Sequence, residues 1–80
     1  MPAPIQIAIV EDIFDVADVL RESINDETDM ECTQLYSSAE DAITFLPKNP
    51  PDVVVMDIGL PRMTGIEAVG LLSGSMPDTR

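Results

Sequence analysis

The order of apolar runs along this chain predicts an α/β domain built on a parallel sheet. Three short runs have strand character, the stretches that follow them carry apolar residues at helical spacing, and the connections between them are short. The 80 residues leave room for one small domain. At 45% hydrophobic and 24% charged the composition is that of a chain that folds. Two Phe, one Tyr and no Trp leave the core to aliphatic side chains.

Ile5 to Val10 (IQIAIV) is a β-branched run that predicts a buried strand over residues 5–10. It stops abruptly at Glu11 and Asp12. Ile13, Val16, Ala17, Leu20 and Ile24 then recur at helical spacing, with Asp15, Asp18, Arg21 and Glu22 opposite, which predicts a helix over 13–25. Asn25 to Asp29 is a polar turn. Met30 to Tyr36 mixes polar and apolar residues, as a partly exposed edge strand over 30–36 would.

Ser38 followed by Asp41 resembles a capping arrangement and opens a helix over 39–46 through Ala42, Ile43 and Leu46. Pro47, Pro50 and Pro51 break the chain. Val53 to Met56 is the most apolar run and carries a strand over 52–57 to Asp57. A loop from Ile58 to Met63 contains Pro61. Thr64 and Glu67 form a second capping box for a helix over 65–74 with Ile66, Val69 and Leu72, ended by Gly74 and Pro77.

Fifteen Asp and Glu against four Lys and Arg give a net charge of −11. Most of these acids read as a solvated face, and such a surface repels phosphate backbones, so this chain alone is not expected to bind nucleic acid. No apolar run approaches the ~18 residues of a membrane span, and the N-terminus lacks signal-peptide features. The one cysteine, Cys32, has no internal disulfide partner. It reads as a small strand residue with no cationic neighbour to activate it. Together these point to the cytoplasm. The absence of histidine excludes Ser-His-Asp and Cys-His catalysis and His-based zinc sites. What remains is chemistry on carboxylates, hydroxyls and a hard metal ion.

Two of the three predicted strands end in acids, Glu11 and Asp12 after the first and Asp57 after the third. In open α/β sheets the carboxyl ends of the strands form the ligand crevice. If the first and third strands are neighbours, the three carboxylates converge, and a cation is needed to relieve their repulsion. An all-oxygen set suits Mg2+ better than zinc. A metal there would neutralise an incoming phosphoryl group while Asp57 attacks it. Taken alone, strand-end acids are more often simply solvated.

The wording around them decides otherwise. Asp52 to Ala68 (DVVVMDIGLPRMTGIEA) resembles the phosphorylation loop of response-regulator receiver domains in two-component systems, and Ile7 to Asp12 (IAIVED) resembles their first strand and acidic pair. The DIGLPRMTGIE wording is most similar to regulators with a C-terminal helix-turn-helix output domain. The resemblance covers essentially residues 1–80. It implies a flavodoxin-like three-layer fold with a parallel sheet, here cut to (βα)3 with strand order 2-1-3.

Carried over, Asp57 is the phosphoacceptor, taking a phosphoryl group from a histidine kinase or phosphotransfer protein. Asp12, Asp57 and the backbone carbonyl of Gly59 ligate Mg2+, with Glu11 helping through water. Glu11 replaces a more usual Asp and is one methylene longer. Gly59, without a side chain, leaves the phosphoryl group open to water. The helix from Ile13 to Ile24 is expected to form part of the kinase-docking face.

The resemblance further implies a phosphorelay module, in the parent a transcription regulator, with at most self-phosphorylation and self-dephosphorylation as enzymatic activity. It implies five strands where this sequence supplies three, and Met76 to Arg80 reads as the approach to a fourth. The family's phosphate-contacting Ser or Thr and Lys have no counterpart, and Lys48 reads as a solvated loop residue. Val53 to Met56 would then form a bare sheet edge. The rival reading is therefore a non-signalling fragment that self-associates through its third strand as a homodimer or oligomer. A third reading, a phosphatase with an aspartyl nucleophile, calls for a second Asp two residues on, where Gly59 stands.

Overall fold

The first strand has all four of its last residues, Ile7 to Val10, buried, which requires neighbours on both edges and cover on both faces. The computed structural model, which describes residues 3–57, 65–76 and 78–79, supplies both. The element order is β1 (Ile5–Val10), α1 (Phe14–Asn25), β2 (Met30–Tyr36), α2 (Ala39–Phe45), a 3-10 turn (Leu46–Lys48), β3 (Val53–Met56) and α3 (Gly65–Ser75). The strands form one parallel sheet in the order β2-β1-β3. This is the 2-1-3 arrangement of a (βα)3 unit.

Ala8 and Val10 point to a core shared with Ala39, Ala42 and Leu46 of the α2 region and with Leu72 and Met76 of the α3 region. By strand alternation Ile7 and Ile9 face the other way, where α1 packs on β1 and β2 through the buried Ala17. Helices thus cover both faces. β2 alternates half-buried and exposed residues along its length, as an edge strand does. Its pairing with β1 runs Ile7 to Cys32 and then Ala8 to Gln34, so Thr33 is an extra residue that bulges the ladder.

Local chemistry explains the helix ends. The Ser38 hydroxyl accepts the Asp41 N–H at 3.2 Å and caps α2. α2 then ends at Phe45, one residue earlier than the spacing predicts, because Pro47 turns the chain into the 3-10 segment. α1 begins at Phe14 rather than Ile13, which serves as N-cap in extended geometry and offers no side-chain cap. Gly74 does not end α3, which runs on to Ser75. The expected Thr64–Glu67 box and the loop with Pro61 involve residues outside the described ones.

The apolar stripe of α1 is less buried than its spacing suggests. Ala17 is covered and Leu20 and Ile24 are half-buried, but Ile13 and Val16 are exposed; outside that stripe Val19 is exposed too, and Phe14 is 72% exposed. Among the described residues β3 pairs along one edge, with β1. Beside it an apolar groove of about 70 Å³ is lined by Val54, Met56, Leu72 and Met76. The Thr79 hydroxyl donates to the Pro51 carbonyl at 2.7 Å and holds the last described turn near the start of β3.

Leu46 is fully buried at the junction of α2 and the sheet. Leu46→Ala is expected to lower stability by about 2–5 kcal/mol, whereas Val19→Ala, on an exposed helix face, should change it by about 0.5 kcal/mol or less. Urea denaturation of both variants checks the contrast. Equal losses would mean that the core lies elsewhere.

Candidate metal and phosphoacceptor site

The ladder between β1 and β3 builds the site. Val10 pairs with Met56, so the residues that follow them leave the sheet side by side. The Asp57 N–H donates to the Val10 carbonyl at 3.0 Å, continuing the ladder one step beyond β3. On the other flank the Glu11 N–H donates to the Tyr36 carbonyl at 3.0 Å. Glu11 and Asp57 are therefore anchored by their backbones to neighbouring strands, and their side chains meet in a hydrogen bond.

Glu11, Asp12 and Asp57 each bring a carboxylate oxygen within 4.8 Å of the others. Glu11 and Asp57 are half-buried and Asp12 is exposed, so the cluster is open to solvent on one side. The α1 N-terminus begins two residues after Asp12, and its unpaired N–H groups place positive potential beside the acids. The donor set is all oxygen, with no imidazole or thiolate in it, and this chemistry fits a hard divalent cation such as Mg2+.

Glu11 records the crowding. Burial pushes its carboxyl above the ordinary 4.5. The Ile13 N–H, which it accepts at 3.3 Å, pulls the other way. A hydrogen bond with Asp57 and the charges of Asp57 and Asp12 raise it further. The structure thus brings together three of the four residues expected in the site. The fourth, Gly59, lies outside the described residues.

Two residues near the site escaped the sequence reading. Tyr36 serves through its backbone carbonyl, which no side-chain pattern signals. Ile13 serves through its N–H, and the failure of an isoleucine to cap its own helix was the only hint. Elsewhere, Lys48 is not merely solvated, since its ammonium sits 5.4 Å from the Phe45 ring centroid, and that ring stacks on Tyr36 at 6.1 Å. Cys32 does have a cationic neighbour. Burial holds its thiol above the ordinary value, and the Gln34 backbone contact and the Arg21 charge pull the other way without reversing it.

With this geometry established, comparison with known proteins assigns the family. The family model for the response regulator receiver domain matches residues 7–80. A transcriptional regulatory protein of Bacillus subtilis, YxjL, itself uncharacterized, is 33% identical over 76 residues, covering 95% of this chain and 35% of its own. DesR, a transcriptional regulatory protein of the same organism, is 41% identical over 64 residues, covering 80% of this chain and 32% of its own. The response regulator domain of Thermotoga maritima CheB superposes with a TM-score of 0.88 at 30% identity, covering 92% of this chain and 55% of that one.

The chain belongs to the response regulator receiver domain family. Receiver domains are the signalling modules of two-component systems and interact with histidine kinases and phosphotransfer proteins. The chain spans about a third of the length of the two regulators and about half that of the Thermotoga domain.

The raised Glu11 carboxyl has a direct consequence for stability. The folded chain holds that proton more tightly than the unfolded one, so the stabilisation is complete below the ordinary Glu range and is lost as pH rises through the raised value. In metal-free buffer the stability of Glu11→Gln relative to the unsubstituted chain should therefore improve from about pH 4 to about pH 7. Urea melts at several pH values test this, and a difference independent of pH would show that Glu11 does not feel its neighbours.

Proposed function

We propose that this chain is the phosphoacceptor module of a two-component response regulator, with Asp57 as acceptor. One observation carries the reading: Asp57 is backbone-anchored at the carboxyl end of β3, inside a cluster with Glu11 and Asp12. A carboxylate so placed is a competent nucleophile for phosphorus. An Asp57 oxygen forms the new bond to phosphorus. The bond to the donor, a histidine nitrogen of the kinase or phosphotransfer protein, breaks, and its electron pair leaves with the donor. The product is an acyl phosphate on Asp57.

Asp12, Asp57 and the backbone carbonyl of Gly59 would hold Mg2+, with Glu11 reached through water. The ion would supply charge neutralisation for the transferring oxygens. Without it, three clustered carboxylates repel a phosphoryl donor. The exposed face of α1, with Phe14, Val16 and Val19 standing out of the fold, supports a role for residues 13–24 in docking the kinase. A cytoplasmic location follows from that partner. Among the described residues no helix is long and apolar enough to cross a membrane. An output in transcription regulation is supported by the two regulators it resembles. Catalysis would go no further than self-phosphorylation and self-dephosphorylation, and the charge of −11 argues against nucleic-acid contact by this chain.

Acetyl phosphate with Mg2+ should label the chain once, at Asp57, as located by mass spectrometry after borohydride trapping. Asp57→Asn should abolish the label. Asp12→Ala should weaken Mg2+ by about tenfold or more in calorimetry, at least the loss seen when a metal's supporting groups are removed. Labelling that survives in Asp57→Asn would place the acceptor elsewhere.

A second reading has its own observation, the one-sided β3 with the apolar groove beside it. Two copies could pair along β3 and fill each other's grooves. Their like charge of −11 opposes this, so salt should strengthen it. Sedimentation at rising protein and salt concentration is expected to show self-association, with slowed amide exchange in Val53 to Met56. A monomer under all conditions would remove this reading.

A further inference from the structure

Glu11 makes two kinds of contact, and that division suggests a regulatory coupling. Its Oε1 accepts the N–H of Ile13, the N-cap residue of α1, at 3.3 Å. The same carboxylate belongs to the cluster with Asp12 and Asp57. The Ile13 carbonyl accepts the first helical bond, from the Ala17 N–H at 3.0 Å, while the Ile13 side chain has no oxygen with which to cap the first turn. Glu11 thus supplies from outside the helix the acceptor that a Glu inside the first turn gives to the N-cap N–H in a capping box. Its backbone is fixed on Tyr36, so it can redirect its carboxylate without moving the strand.

We infer that Glu11 is a positioning residue that couples cation occupancy of the carboxylate cluster to the first turn of α1. The inference rests on the metal-binding reading given above. With no cation present, the Glu11 carboxylate is shared between its hydrogen bond with Asp57 and the Ile13 N–H at the positive end of α1. A divalent ion in the cluster reverses the sign of the field that Glu11 meets there. A single exposed hydrogen bond of 3.3 Å is a weak competitor for a carboxylate facing a doubly charged ion, whether it is met directly or through water. Glu11 then turns inward, and the Ile13 N–H passes to solvent. The residues affected, Ile13 at 55% and Phe14 at 72% exposure, are the most outward apolar groups at that end of α1. Loading the site therefore loosens the turn that presents them.

NMR measurement of water–amide exchange along the full chain, run beside calorimetric Mg2+ titration, tests the coupling. Exchange at Ile13 is expected to quicken about five- to tenfold, following the calorimetric isotherm, while the Asp57 and Val10 amides stay protected. Glu11→Gln keeps the acceptor oxygen but not the charge, so Ile13 should remain slow with or without Mg2+. Glu11→Ala should make it fast in both. Clear heat of Mg2+ binding with Ile13 unchanged in the unsubstituted chain would overturn the coupling and leave the metal site standing. Mg2+ sensitivity that persists at Ile13 in Glu11→Gln would assign the effect to another group and also overturn it. A flat calorimetric titration would remove the metal site, and the coupling with it.

Discussion

The pairing of β3 with β1 determines whether this chain has a site at all. Two acids lie just after β1 and one just after β3, far apart in sequence, and nothing but the register of Val10 against Met56 brings them together. A strand register is a stiff constraint, because slipping by one residue would turn Val54 and Met56 away from the core they share with Ala8 and Val10. Apolar packing below the site thus sets the position of the charges above it. The Asp57 N–H bond to the Val10 carbonyl extends the ladder to the acceptor residue itself, so its main chain inherits the order of the sheet.

Holding three carboxylates within 4.8 Å costs free energy that the fold must offset. At about 4 Å two unit charges interact by about 1 kcal/mol in water and about 4 kcal/mol at the effective dielectric near a protein surface. Against this stand the N-terminal potential of α1, the Ile13 N–H on Glu11, the partial exposure of the group, and a proton on Glu11 when the solution allows one. None of these neutralises the cluster. A divalent cation would do so more completely than all of them, and the repulsion among the three acids would then become affinity for it.

Much of this was open to a reader of the chain. The β-branched run ending at Glu11, the valines ending at Asp57 and the helical spacing between them predict a parallel sheet with acids at one edge, and Ser38 signals its helix by its own side chain. What sequence reading misses is of another kind. Thr33 bulges β2 because of how two strands settle against each other, and no turn residue marks it. The start of the α1 stripe, Ile13 and Val16, reads as core but is exposed, since periodicity reports which residues share a side and not whether anything covers that side. Glu11 reads as a metal-site acid, while its bond to Ile13 depends on a backbone N–H, a group every residue but proline carries. Gly59, expected to contribute a carbonyl, lies outside the described residues.

The two faces of the sheet are unequally built, and this bears on how signals could leave the site. On one side seven buried residues from β1, α2, the 3-10 turn and the α3 region lock together. On the other, Ala17 is the buried residue of α1, with Leu20 and Ile24 half-covered and Ile13, Phe14, Val16 and Val19 in solvent. Apolar burial sets most of the cost of detaching a helix, at roughly 25 cal/mol per Å². α1 brings one buried side chain of its own, Ala17, to its packing on the sheet. It is also the element whose N-cap residue, Ile13, is tied to the carboxylate cluster. A change of charge at the cluster is therefore felt first at the start of α1, through the bond between Glu11 and the Ile13 N–H. α1 starts beside the cluster because it follows β1 directly in the chain, with Glu11, Asp12 and Ile13 as the whole of the connection.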